Sequence, residues 1–120
     1  MDRQQIFDTG LNGLIKQGHR AMTGAPKYCV YRTPTGAKCF LGHSIPDNEY
    51  DPEFEREIPH LYSPLKAIFG AEDQADIDFL REAQSRLHDS LPDVDFTQHL
   101  LTRAKTFAKQ YNLEFNPNAQ

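Results

Sequence analysis

The sequence predicts a mostly helical α+β domain, with four to five helices packed around one small antiparallel β-hairpin. Three observations carry this expectation. Apolar residues recur at helical spacing near both ends of the chain, β-forming residues flank a Pro/Gly turn in the middle, and Gly and Pro punctuate the segments between. A length of 120 residues suits a single compact domain, 1–120, with room for one modest core.

Asp2 and Gln5 have the spacing of a capping box, and Phe7, Leu11, Leu14 and Ile15 follow at helical intervals. A helix is therefore expected over residues 3–17, stopped by Gly18. The stretch GHRAMTGAPK reads as a loop. In YCVYRTPTGAKCFLG, Pro34 suits the second position of a type I turn and Gly36 its left-handed position, which predicts a hairpin of strands 28–33 and 37–42. That register pairs Tyr31 with Cys39 and Cys29 with Leu41 on the core face. Val30, Arg32, Lys38 and Phe40 fall on the other face.

The segment SIPDNEYDPEFEREIPH has an acid at every odd position from 47 to 57. Asp51-Pro52 explains part of it as a helix start, with the carboxylate as cap and proline at the first helical position. Pro52 argues against a strand there. A short helix is expected over 62–69, ending at Gly70. In 73–90, Ile77, Leu80, Ala83, Leu87 and Leu91 form one stripe, and Pro92 ends it. Asp93 or Asp95 can cap the last helix, whose apolar face holds Phe96, Leu100, Ala104, Phe107, Ala108 and Tyr111. Residues 113–120 read as a polar, loosely held tail.

Composition narrows the function classes. Hydrophobic content is low at 38%, but eight Phe and five Tyr supply large buried surfaces. No apolar run is long enough to span a membrane, and the opening MDRQQIFDTG lacks the form of a secretory signal, so a bacterial cytoplasm is the default compartment. Two cysteines do not make a disulfide framework. There is no Walker loop, dinucleotide fingerprint or H-E-x-x-H.

Residues 29–52, CVYRTPTGAKCFLGHSIPDNEYDP, carry a Cys-x-Tyr-Arg opening, a Gly-x-Lys-Cys turn exit, Gly42 and an Ile-Pro-Asp-x-x-Tyr-Asp-Pro block. This segment resembles one found in small uncharacterised bacteriophage and prophage proteins. The resemblance covers about a fifth of the chain and implies a phage or prophage setting, where small accessory proteins often bind and inhibit a host component, defence systems included.

Charge is the main functional clue. Residues 44–95 hold fourteen acids against four bases, a net of −10, whereas residues 9–46 hold no acid. Lys16, Arg20, Lys27, Arg32 and Lys38 are all in that acid-free stretch. Three readings follow: the basic and acidic parts fold against each other; the bases form an anion site for a phosphate, a nucleotide or an acidic protein face; or the acidic flank mimics DNA. Tyr28, Tyr31, Phe40 and Tyr50 lie among the bases, where they could anchor an interface or close the core. Phe40 discriminates, since either a helix covers it or it joins a binding patch.

Metal and nucleophile readings are weaker. Cys29, Cys39 and His43, with His19 or His60 as a fourth ligand, match no zinc spacing. A cross-strand disulfide would sit diagonally in the predicted register. A cysteine nucleophile needs an exposed thiol, and this register buries both. His19, His60, His88 and His99 read as surface or boundary histidines.

The leading expectation is a non-enzymatic binding protein that inhibits or modulates a bacterial host protein. Its candidate partner-binding residues are Arg20, Lys27, Tyr31, Arg32, Lys38, Phe40, His43, Asp47, Glu49 and Tyr50. No catalytic residue, metal or cofactor is assigned, direct nucleic-acid binding is not expected, and the chain is a monomer or homodimer. The alternative is capture of a phosphate-bearing nucleotide around Arg20, Arg32, Lys38 and Tyr31. A small zinc or cysteine hydrolase is third.

Overall fold

The computed structural model describes residues 2–25, 27–56 and 67–117, and it is a mostly helical α+β fold with one two-stranded antiparallel sheet. Helix α1, Arg3–Gln17, starts on the expected capping box: Asp2 accepts the Gln5 amide at 2.8 Å, and the Gln5 side chain accepts the Asp2 amide at 2.9 Å. It stops at Gly18, whose φ of 81° is readily open only to glycine. Strands β1, Met22–Thr23, and β2, Tyr28–Cys29, follow. Two 3₁₀ turns, Leu41–Ser44 and Pro52–Arg56, lead to helix α2, Gln74–Gln84. Helix α2 runs on into a π-helical turn, Ser85–Asp89, and helix α3, Phe96–Gln110, completes the order.

Phe7 of α1 stacks on Phe107 of α3 at 5.9 Å, and Phe107 meets Phe79 of α2 at 5.6 Å. Tyr111 closes the cluster against Phe79 and Phe107. Each fully buried ring contributes roughly 1.5–3 kcal/mol, so this cluster is a substantial stabilising contact between the helices. On its other side α1 covers the chain around residue 40: a Cβ on Gly10 would come within 2.7 Å of the Phe40 ring. Glycine is required there by close approach.

The sheet is displaced from the predicted hairpin. The turn forms in the expected register, with an isolated bridge between Arg32 and Lys38 and the Cys39 amide donating to Tyr31 O at 3.1 Å. Pairing then ends, because Cys39, Phe40 and Leu41 are all fully buried. Consecutive inward side chains do not fit a strand's alternation, so the chain coils between α1 and α2 instead. Cys29 pairs with Met22 rather than Leu41, and the Val30 amide donates to Ala21 O.

Other expectations meet mixed outcomes. Asp51 caps the turn at Pro52 by accepting the Glu53 amide at 2.9 Å, although the turn is 3₁₀ rather than α. Asp95 occupies the cap position of α3 without a side-chain cap bond, while Asp93 pairs with Arg20. The tail is tied at its start, since the Gln4 side chain bonds both the amide and the carbonyl of Glu114 at 2.9 and 3.0 Å. Of the helix expected over 62–69, residues 62–66 lie outside the described residues; residues 67–69 are helical and stop at Gly70. Pro59 and His60 also lie outside them.

Candidate functional site

The turn at residues 33–37 organises the candidate site. Thr33 donates its amide to Ala37 O at 2.8 Å and accepts the Ala37 amide on Oγ1 at 3.0 Å, while Gly36 adopts φ 97°. The turn is closed by its own short bonds, with residues 34–36 exposed at its tip and Ala37 buried at its base. Three open grooves surround it. One, of about 630 Å³, is lined by Arg32, Pro34, Lys38, Asp47 and Tyr50; the second by Lys16, His19 and His43; the third by His19, Arg20, Lys27 and Asp93. The five bases of the acid-free stretch are thus distributed over three grooves that all border the turn.

Basic and acidic parts meet at its edges, as the simplest charge reading expects. Arg32 Nη1 lies 2.9 Å from Asp47 Oδ1, and Lys38 Nζ lies 3.6 Å from the same oxygen. Arg32 Nη2 donates to Ile45 O at 2.7 Å, and its guanidinium lies over the Tyr50 ring at 4.6 Å. Arg20 Nη2 pairs with Asp93 at 3.0 Å, and its Nη1 donates to Asp89 O. Lys16 and Lys27 are exposed and meet no carboxylate among the described residues.

Glu55 was missed as a site residue. Its carboxylate accepts the amides of Tyr31 and Arg32 at 2.9 and 3.2 Å and the Tyr50 hydroxyl at 2.5 Å. One acid thus fixes the backbone beneath Arg32 and the ring above it. Burial first, and this bond second, push the Tyr50 hydroxyl well above its ordinary range. The only signal in the sequence was its place in an acidic run, where nothing distinguishes it from Glu53.

Several predicted residues stand elsewhere. Phe40 is fully buried under α1 and cannot join a binding patch. Tyr31 is 5% exposed and faces a cavity with Cys29, Cys39, Glu55, Gln84 and Asp89. Arg20 and Arg32 line separate grooves, so the nucleotide pocket expected around Arg20, Arg32, Lys38 and Tyr31 does not assemble. Glu49 is exposed and makes no side-chain bond among the described residues. His43 packs on Gly13, away from the cysteine cavity, and its ring Nε2 is buried without a partner. Burial, with Lys38 adding to it, pushes His43 down to about 4, so the ring is neutral at pH 7.

No family model, curated protein or solved structure matches the chain. Its chemistry is therefore read from geometry. Cys29, His88 and Asp89 bring donor atoms within 4.8 Å of one another. His88, expected near the surface, is fully buried. Its Nε2 accepts the Ala21 amide at 2.9 Å, which leaves the proton on Nδ1 for Asp89 at 2.7 Å. With both ring nitrogens committed, His88 has no lone pair for a metal and none for a thiol proton. Burial and the Asp89 carboxylate push the Cys29 thiol up to about 11, and burial raises Cys39 further. Neither is an activated nucleophile. The spacing of Gln84 and His88, four residues apart beside the apolar stripe, was the available sign of a polar stripe facing inward. No helix among the described residues is long and apolar enough to cross a membrane.

Proposed function

We propose that the chain is a non-enzymatic binding protein that inhibits or modulates a bacterial host protein, docking through the basic face around residues 33–37. The observation that carries this reading is that Lys16, Arg20, Lys27, Arg32 and Lys38 line three grooves around one hydrogen-bonded turn with an exposed tip. A fixed turn costs little ordering entropy on binding, and a ring of cations steers an acidic partner toward it. The resemblance of residues 29–52 to phage and prophage proteins supplies the setting, a bacterial cytoplasm with defence components among the candidate targets. Nucleotide capture has less support, since its cations line different grooves.

The test uses the full chain as bait in bacterial lysate, followed by calorimetry with the purified partner. Reversal at the two cations that meet no carboxylate, Lys16→Glu with Lys27→Glu, is expected to weaken binding at least tenfold with little change in melting temperature. A partner whose affinity ignores that reversal, or repeated recovery of no saturable partner, would overturn the reading.

A further inference from the structure

We infer that Asp47 holds, within the chain, the seat of a partner's carboxylate, and that an acidic side chain of the partner displaces it from Arg32 and Lys38. This rests on the binding reading above and names the contact at its centre. The side chains of Arg32 and Lys38 are 16% and 28% exposed, whereas that of Asp47 is 84% exposed. The cations are held in place and the anion between them stands in solvent. Arg32 is fixed from three sides, by Ile45 O, by the Tyr50 ring and through its amide by Glu55. Its Nε is buried and has no hydrogen-bond partner, so the guanidinium is under-satisfied by its own fold.

The geometry also limits how the incoming group can bind. Arg32 Nη1 and Lys38 Nζ converge on one oxygen, and Nη2 is spent on Ile45 O. With Nη2 spent, the two-pronged fork is closed to carboxylate and phosphate alike, and the seat takes one anionic oxygen, which in this fold is a carboxylate's. Glu55 does not compete, because its oxygens are taken by two amides and the Tyr50 hydroxyl. Exposed ion pairs contribute little, so Asp47 yields easily to an acid that arrives with further contacts along Pro34 and Tyr50.

An acetylated, amidated hexaglutamate peptide and inorganic phosphate serve as probes, titrated at low salt while the Arg32 Nε–H resonance is followed by NMR. Asp47→Asn is expected to bind the peptide about two- to fivefold tighter than the parent chain, the range that an exposed pair can supply. Lys38→Gln should bind it more weakly, and Glu49→Gln, which removes a nearby charge that touches neither cation, should change little. Equal tightening by Asp47→Asn and Glu49→Gln would reduce the effect to general electrostatics and overturn the seat. So would phosphate saturating the Arg32 signal in preference to the peptide. If Asp47→Asn changes nothing while the Lys16/Lys27 reversal still abolishes partner capture, this inference fails and the binding reading stands.

Discussion

The helical part of the molecule and its middle segment, residues 19–56, are held together by different physics. Between α1, α2 and α3 the contacts are aromatic and aliphatic: Phe7, Phe79, Phe107 and Tyr111 stack in one cluster. The middle segment has two short strands and two 3₁₀ turns, and side chains from elsewhere satisfy its backbone. Gln17 bonds both the amide and the carbonyl of Lys38, Gln84 accepts the Leu41 amide, and His88 accepts the Ala21 amide. The difference teaches how an irregular chain can present a fixed turn. Where ladders are too short to satisfy the backbone, buried polar side chains do so instead, and each is specific to one amide.

The largest expected effect tests the helical side. Phe107→Ala should cost about 3–5 kcal/mol in chemical denaturation, since it opens a cavity at the centre of the cluster. A cost under about 1 kcal/mol would remove the contrast. On the other side, His88→Leu keeps the volume roughly but orphans the buried Ala21 amide, an expected loss of about 1–3 kcal/mol. Hydrogen exchange sharpens this: the Ala21 amide should lose protection while amides in α3 keep theirs. Loss of protection throughout would mean that the two regions unfold as one.

A third test uses pH. His43 has an ordinary value of 6.5 in the unfolded chain and about 4 when folded, so between these values the unfolded state binds the extra proton. Its contribution is complete above about pH 6.5 and is lost as pH falls toward 4. After allowance for partial exposure it amounts to roughly 1–2 kcal/mol. His43→Gln should flatten that part of the stability profile; an unchanged slope would show that other groups set it. The smallest effect belongs to the rim. Arg20→Gln breaks a pair with an exposed Asp93 and a bond to Asp89 O, and should cost about 1 kcal/mol.

The two regions were also unequally legible. Helix α1 could be read to the residue, because a capping box, an apolar stripe and a terminal glycine are all local signals. The turn at residues 33–37 was legible for the same reason. The strand pairing was not, since Cys29 can pair forward or backward and the choice depends on α1 burying Phe40. Arg32, Lys38, Asp47 and Tyr50 do come together, which charge and proximity in sequence suggested. Glu55 and Gln84 were not singled out and His88 was placed near the surface, because each satisfies a backbone amide distant in sequence, and an amide carries no mark in a sequence. Phe79 was absent from the predicted stripe although it is 1% exposed, because α2 buries a face broader than one stripe, with Phe79 and Leu80 side by side and Ala83 and Gln84 one turn on.

The pair of hydrogen bonds between the Gln4 side chain and the Glu114 backbone joins positions 110 residues apart in the chain. The fold is thereby closed into a ring, with one side-chain amide as its clasp. Gln4→Ala would remove both bonds at once and release the start of the tail from α1.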